Sequence, residues 1–508
     1  MDLKREFIRN SFFNVIGWIW LVILNIASIP YIVHKLGYDA YGILALVLLV
    51  LGYFSFLDFG LGDAVIKYFS HYYALKDFNK LNKIINSILY LYLLIGLFGA
   101  GLIFLFTKLF ALQVFKIPLS LHPVAIFCFY LSAVGFFLNL IFGVISKIPE
   151  AIQRFDLSNR NNVIMGTAIT LSNVIILFLG YGLREVIIVN LLGSLLGIVL
   201  FYRTTKRLVP QLRFNIGFHF QDFKEVAYFG LYTVFTKFSS IITGSINQFF
   251  VGALIGTSGV TIFNIPFKII SRIQSLIYRI SYAVFPLSSE LSAAKDNNRI
   301  QSVYLQLSKH VFLLSSLFFV PLISFPKEIL RYWMGSDFAL RGFYVMLMCC
   351  LFFYFMSLTM VPGLVALGLG QPKYNAFYSF LTALINISVV IPFTKTWGIN
   401  GAATSLLLSS LTAPVMIYVI SVKVVGISFR KYLSFAVGKS ALVILAALLI
   451  SHILKELITS LFVFACIISG VYLFMGGLFY EMCLGREEKT LIRNSLVVLI
   501  KKLRFAKA

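Results

Sequence analysis

The amino-acid sequence predicts an all-α, polytopic membrane protein with about 14 transmembrane helices, built as two six-helix lobes and two further C-terminal helices. Three observations predict this class. Hydrophobic residues make up 60% of the 508 positions, and charged residues only 12%. Apolar runs of roughly 20 residues, the length of a bilayer-spanning helix, follow one another from end to end. The chain also repeats itself at a nearly constant offset.

The first apolar run follows Lys4, Arg5 and Arg9. It extends over about 22 residues, which is too long for the hydrophobic part of a cleaved signal peptide, so we expect it to be retained as the first span. Hydropathy then predicts spans at about 11–34, 41–67, 84–107, 121–146, 160–181, 185–203, 226–255, 260–287, 304–326, 342–368, 374–394, 398–422, 433–454 and 459–483.

The distribution of lysine and arginine predicts the orientation of these spans. With the N-terminus inside, about 30 of these residues fall in inner loops and about nine in outer loops, as the positive-inside rule requires. Both termini are therefore expected in the cytoplasm. The net charge of +24 could also indicate a nucleic-acid partner. Because the bases cluster between apolar runs, we interpret them as a topology signal and expect no nucleic acid.

An offset of 219 residues relates the two halves of the chain, for it sets Ala64-Val65 on Ala283-Val284 and Lys76-Asp77 on Lys295-Asp296. Six spans per repeat give the two lobes the same orientation, so a parallel pseudo-twofold axis along the membrane normal should relate them. The predicted divisions are an N-terminal lobe at 1–215, a C-terminal lobe at 216–428, and two extra helices with a basic cytoplasmic tail at 429–508.

The eighth predicted span carries three cations, Lys268, Arg272 and Arg279. At about 100° per residue they fall within about 40° of one another on one helix face, and the opposite side is expected to hold Ile, Leu and Tyr. A central arginine costs about 2.5–3.5 kcal/mol on insertion scales, so this face should meet water, a counter-charge or a ligand. Snorkelling to the interface is the alternative for Lys268 and Arg279.

The first spans of both lobes carry a polar seam. Asn25 lies on this seam in span 1, and Lys237 and Asn247 lie on the corresponding seam in span 7. Such residues either line a cavity or hold neighbouring helices together. Lys237 favours the cavity in span 7, because it lies roughly 15 Å along the helix from the inner end. The predicted substrate-binding set is thus Arg272, Lys268, Arg279, Lys237, Asn247 and Asn25.

Asp58 lies deep in span 2, beside Gly60 and Gly62, with no partner at helical spacing. It is the candidate for binding a coupling H⁺ or Na⁺. The alternatives are an ion pair with a cavity cation or capping of backbone groups near the glycines.

No catalytic constellation is present. The sequence contains no Walker motif, no GxSxG or HExxH segment and no metal-spaced cluster among its cysteines and histidines. We therefore expect a transporter rather than an enzyme, with no cofactor and no metal.

Four stretches resemble one transporter family. They are Lys35-Leu36-Gly37-Tyr38-Asp39-Ala40-Tyr41-Gly42-Ile43, Leu57-Asp58-Phe59-Gly60-Leu61-Gly62, Leu367-Gly368-Leu369-Gly370-Gln371-Pro372-Lys373 and Trp397-Gly398-Ile399-Asn400-Gly401-Ala402-Ala403. They are similar to Wzx-type oligosaccharide flippases, polysaccharide biosynthesis transporters of the multidrug/oligosaccharidyl-lipid/polysaccharide (MATE-like) exporter superfamily. The resemblance covers essentially the whole chain.

This resemblance implies a flippase in the bacterial cytoplasmic (inner) membrane. It would move an undecaprenyl-diphosphate-linked oligosaccharide, such as an O-antigen repeat unit, from the inner to the outer leaflet by alternating access through a cationic cavity. Membrane lipids, a polysaccharide polymerase and a chain-length regulator would be its partners. The two extra C-terminal spans resemble those of lipid II flippases. A lipid II flippase therefore stays open as an alternative. An H⁺- or Na⁺-coupled multidrug antiporter of the same superfamily is the other alternative.

Overall fold

The structure, a computed structural model, describes residues 3–58, 61–215, 245–490 and 493. Every regular element within those residues is helical, which confirms the predicted all-α class. The helices are α1 (Leu3–Leu36), α2 (Tyr38–Phe54), α3 (Leu61–Ala74), α4 (Phe78–Leu109), α5 (His122–Ala151), α6 (Phe155–Phe178), α7 (Leu183–Leu208), α8 (245–254), α9 (Thr257–Ser281), α10 (Val284–Ala293), α11 (Asn297–Ser324), α12 (Pro326–Met334), α13 (Ser336–Leu358), α14 (Met360–Gly368), α15 (Pro372–Ser410), α16 (Ala413–Val419), α17 (Phe429–Tyr432), α18 (Lys439–Leu454) and α19 (Leu461–Leu478).

Ten helical segments of the described chain are long and apolar enough to cross a membrane. The protein is therefore a multi-pass membrane protein, while the count of 14 spans stays a prediction. The predicted span 41–67 is divided into α2 and α3, with a 3₁₀ turn at Ser55–Asp58 between them. Glycine weakens a helix by about 1 kcal/mol relative to alanine, and the sequence carries two glycines just after this turn.

The internal repeat is visible in the backbone. Lys76 (φ 57°) and Lys295 (φ 53°) both adopt the left-handed conformation, which a residue with a Cβ rarely takes. The next residue in each case caps a helix: the carboxylate of Asp77 accepts from the Lys80 N–H at 2.9 Å, and that of Asp296 from the Arg299 N–H at 3.0 Å. The same strained turn and the same N-cap thus recur 219 positions apart.

The start of α2 crosses the start of α9 through two contacts, and the 219-residue offset between the repeats relates one contact to the other. Thr261 Oγ1 donates to the Tyr38 carbonyl at 2.5 Å. Adding 219 to Tyr38 gives Thr257, and subtracting 219 from Thr261 gives Gly42. Gly42 faces the Thr257 carbonyl so closely that a Cβ there would lie 2.6 Å from the carbonyl carbon. This pair of equivalent contacts has the form that a local twofold axis requires.

The described chain divides into two units, which are considered separately. Unit 1 comprises residues 1–265 and 387–402, and unit 2 comprises residues 266–386 and 403–508. Side-chain hydrogen bonds join helices within unit 1: Trp20 Nε1 donates to Thr167 Oγ1 at 3.0 Å between α1 and α6, and Asn161 Nδ2 donates to Thr204 Oγ1 at 2.9 Å between α6 and α7. Polar side chains hold helices together where lipid offers no other partner.

Unit 2 contains the last two long helices, which pack on α11. Val443 of α18 and Val471 and Met475 of α19 share a buried apolar cluster with Phe325, which follows α11. Beside this cluster the Lys309 ammonium of α11 contacts both carboxylate oxygens of Glu488 at 2.8 Å, where the chain leaves the last span. Apolar burial and the contacts of Glu488 with Lys309 and His310 thus anchor the C-terminal hairpin to α11.

Candidate functional site: the cationic helix and its cavity

The three predicted cations of unit 2 lie on α9, whose opposite face is buried. Ile270 and Ile277 on that face are fully buried (0% exposed). Lys268 is half-buried, whereas Arg272 and Arg279 are exposed. Because apolar residues recur at the helical period on one side, α9 packs through that side, and its basic residues lie on the opposite, less buried side. The predicted alignment of the cations on one face is thus present in the helix.

Lys268 and Arg272 form no ion pair with any acidic residue of their own unit that the structure describes. They are one helical turn apart, so each raises the cost of the other's charge in a poorly hydrated environment. Two like charges without an internal counter-charge form a site that an anion would stabilise. The hydroxyl of Ser271, which lies between them, donates to the Lys268 carbonyl at 2.8 Å.

A cavity of about 690 Å³ opens at the C-terminal end of α9. Its lining consists of Gln274, Ser275, Tyr278, Arg279, Tyr282 and Met360. The rings of Tyr278 and Tyr282 lie 5.8 Å apart with their planes inclined at 54°. Of the predicted cations in unit 2, the cavity includes Arg279, while Lys268 and Arg272 lie farther along the helix toward its N-terminus.

The sequence interpretation set the tyrosines of this span on the side opposite the cations, but Tyr278 lines the same cavity as Arg279. Consecutive residues are only about 100° apart, so long aromatic and guanidinium side chains can reach one cavity from neighbouring positions. Sequence reasoning missed Tyr278, Tyr282 and Gln274 as site residues. The signal that could have found them is two tyrosines four residues apart, beside an arginine, near a span end.

The predicted asparagines have different environments. Asn247 of α8 is 2% exposed and donates from Nδ2 to the Ala402 carbonyl at 2.8 Å within unit 1. This bond is typical of helix packing. Asn25 of α1 is exposed and donates to the Leu21 carbonyl at 2.7 Å, one turn back in its own helix. Lys237 lies outside the described residues.

Asp58 is half-buried at the end of the 3₁₀ turn after α2. Its carboxylate accepts a hydrogen bond from the hydroxyl of Tyr92, a fully buried residue of α4. This hydrogen bond ties the turn between α2 and α3 to α4. The binding of H⁺ or Na⁺ by Asp58 stays a prediction. No group of three or more His, Cys, Asp or Glu among the described residues could hold a metal ion.

Comparisons with known proteins give the fold and the family. A curated relative from Shigella flexneri, named "Putative O-antigen transporter", is 22% identical over 405 residues, covering 78% of this chain and 93% of the relative. An inward-facing multidrug resistance MATE family transporter of the MOP superfamily matches with a TM-score of 0.68 at 14% identity, over 77% of this chain and 92% of its own. Lipid II flippase MurJ, in an inward closed conformation, matches with a TM-score of 0.67 at 16% identity, over 94% and 98%.

These solved structures show that the chain has the helical fold shared by MATE transporters and MurJ. The sequence profile of a family described as "Polysaccharide biosynthesis protein" matches residues 36–339, more than half of the chain. That segment contains α9 with its cations and the tyrosines of the cavity. This multi-pass membrane protein therefore belongs to the polysaccharide biosynthesis protein family.

Proposed function

We propose that this protein is a flippase that moves an undecaprenyl-diphosphate-linked oligosaccharide from the inner to the outer leaflet by alternating access. The observation that carries the proposal is the pair Lys268 and Arg272, aligned on one face of α9 without an acidic partner among the described residues of unit 2. The Shigella relative named as an O-antigen transporter and the polysaccharide biosynthesis family support a glycan as part of the cargo.

The chemistry of the cargo matches this helix. A diphosphate presents several anionic oxygens, and arginine binds such oxygens through two parallel N–H groups, whereas lysine acts as a point charge. The isoprenoid chain gains nothing by leaving the hydrocarbon of the bilayer. The polar head therefore needs a hydrated, cationic path, and the tail needs none. This division of the cargo distinguishes flipping from the transport of a freely diffusing solute.

The proposal includes a topology. Both termini lie in the cytoplasm, the two lobes are formed by residues 1–215 and 216–428, and the last two spans lie outside the repeat. The excess of lysine and arginine in the predicted inner loops supports this orientation. Under it, α9 runs from the outer to the inner surface, so the cavity at Arg279 lies toward the cytoplasm, where the cargo is made. Cysteine labelling from each side of the membrane tests these assignments.

Arg272→Ala tests the site. We expect it to reduce surface polysaccharide at least 10-fold in a complementation assay, since a hydrogen bond to a charged group contributes about 1.5–3 kcal/mol. Arg272→Lys, which keeps the charge, should retain part of the activity. Arg341→Ala is the matched control, because Arg341 lies on α13 of the same unit and pairs with exposed Asp337 at 3.0 Å. Normal export by Arg272→Ala at wild-type expression would remove Arg272 from the site.

The alternative transport activities give different results in the same strain. A multidrug antiporter would change resistance to cationic compounds and leave surface polysaccharide intact. Such an antiporter needs carboxylates for its cargo, whereas the three α9 positions singled out here are basic. A lipid II flippase would restore growth of cells depleted of their own peptidoglycan precursor flippase. Restoration of polysaccharide without either effect supports the proposal.

A further inference from the structure

The cavity at the end of α9 has a lining unlike that of a simple anion site. Besides Arg279 it contains the faces of two tyrosines, an amide, a hydroxyl and a thioether. Tyr278 is 44% exposed and Tyr282 51% exposed, so both rings are accessible to a ligand. A volume of about 690 Å³ falls within the range of about 300–1,000 Å³ that small-molecule sites occupy. The cavity can therefore hold more than a phosphate group.

Two polar groups of the lining, the Gln274 amide and the Ser275 hydroxyl, have hydrogen-bonding capacity to spare. The Gln274 amide, which offers both donors and an acceptor, makes no hydrogen bond with the described residues. Ser275 Oγ donates to the Ser271 carbonyl at 2.8 Å, so its lone pairs remain available to accept. A ligand with several hydroxyl groups can both donate to and accept from such a set. A cationic ligand would instead lack a carboxylate in this lining and would meet the Arg279 guanidinium.

Sugar rings combine these properties. One face of a pyranose exposes C–H groups of slight positive charge, which pack against the negative face of an aromatic ring. Its edge carries hydroxyls that need amide, hydroxyl and guanidinium partners. The two inclined tyrosine rings, with the amide and the arginine at the same cavity, supply both kinds of contact. Met360 of α14 adds a flexible apolar side chain that can adapt to the rim of a sugar.

We infer that this cavity is a carbohydrate subsite, in which Tyr278 and Tyr282 pack on a sugar ring and Gln274 and Arg279 bind its hydroxyls. The inference rests on the proposed function, for it assigns to the cavity the first sugars of the lipid-linked glycan. Arg272 lies seven residues from Arg279, which is about 10 Å along the helix and about 20° around it. A diphosphate near Arg272 and the sugar bonded to it can therefore follow one face of α9.

Binding to the purified full-length protein in lipid nanodiscs tests this subsite. The probes are bare undecaprenyl diphosphate and four forms of the same lipid bearing N-acetylglucosamine, N-acetylgalactosamine, glucose or galactose. Wild-type protein should bind at least one glycosylated probe more tightly than the bare lipid. The double substitution Tyr278→Ala and Tyr282→Ala should weaken that probe about 10-fold, a few-fold for each ring, and change the affinity for bare lipid less than 2-fold.

Tyr278→Phe and Ile280→Ala are the matched controls. Tyr278→Phe keeps the ring face and should retain most of the preference for the sugar. Ile280 is an exposed residue of the same helix turn (55%) that does not line the cavity, so its replacement should have no effect. A thermal midpoint unchanged from wild type shows that each variant is folded.

The outcomes separate the subsite from the proposed function. Selective loss of the glycosylated probe in the tyrosine double variant supports the subsite. Equal weakening of bare and glycosylated lipid, no weakening of either, or a wild type that prefers none of the four sugars overturns it. Arg272→Ala reports on the proposed function alone. It should weaken all five probes alike, and unchanged binding of bare lipid in that variant would refute the anion site while leaving the tyrosine result interpretable.

Discussion

Gly42 lies where α2 meets the start of α9, and replacing it with alanine should destabilise that contact. A Cβ at this position would lie 2.6 Å from the Thr257 carbonyl carbon and 3.0 Å from its Cα. Because non-bonded carbons pack at about 3.5–4.0 Å, the two backbones must separate by about 1 Å. Thr257 is also held by its own hydrogen bond, from Oγ1 to the Asp39 carboxylate at 2.5 Å, so the contact cannot yield at one end alone.

Overpacking of this kind costs about 1–3 kcal/mol. At about 2 °C per kcal/mol, the lower end of the range for larger domains, Gly42→Ala should lower the thermal unfolding midpoint by roughly 2–6 °C. The assay is thermal unfolding of the detergent-purified protein followed by tryptophan fluorescence. Gly52→Ala is the control on the same helix, since a Cβ there meets no described atom within 4 Å. An unchanged midpoint in Gly42→Ala, or an equal fall in Gly52→Ala, would refute the steric argument.

Three further predictions concern named contacts. Thr261→Val removes the hydrogen bond to the Tyr38 carbonyl (2.5 Å) and should lower stability by about 1 kcal/mol, whereas Thr261→Ser should retain it in the same unfolding assay. Glu488→Gln removes the charge facing Lys309 and His310, and we expect a loss of about 1–3 kcal/mol, with protease sensitivity after the last span as the readout. Burial raises the pKa of Glu488, but the hydrogen bonds from Lys309 and the Gly485 N–H, with the charges of Lys309 and His310, outweigh it and hold this pKa below its ordinary value of 4.5. The pair should therefore stabilise the protein fully above pH 4.5 and weaken as the pH falls through the lowered pKa, and Glu488→Gln should abolish this acid dependence.

Helix content and the repeat could be predicted because they depend on local properties. Apolar runs long enough for a bilayer predict helices whatever their neighbours are. The turn at Lys76 and Lys295 could be related from identical residues in the two halves, although no rule for lysine predicts a positive φ there. The match between the two repeats thus indicates a shared backbone conformation that the propensity of lysine alone would not predict.

The site could be predicted only in part. The cations on α9 follow from helical spacing, so their common face was accessible to sequence reasoning. The packing of Asn247 against the Ala402 carbonyl depends on residues 155 positions apart, and the cavity at Tyr278 includes Met360 from another helix. Spacing within one helix contains no information about such partners. The division of span 41–67 was likewise missed, because hydropathy averages over the turn that ends at Asp58.

The anchoring of the C-terminal hairpin has a consequence for biogenesis. Lys309 enters the membrane with α11, and its side chain is only 10% exposed in the folded protein. Its carboxylate partner is synthesised 179 residues later. During translation the ammonium group therefore has no contact with Glu488 until the last hairpin has been made. A chain that stops short of this residue lacks the carboxylate that faces the Lys309 ammonium beside α11.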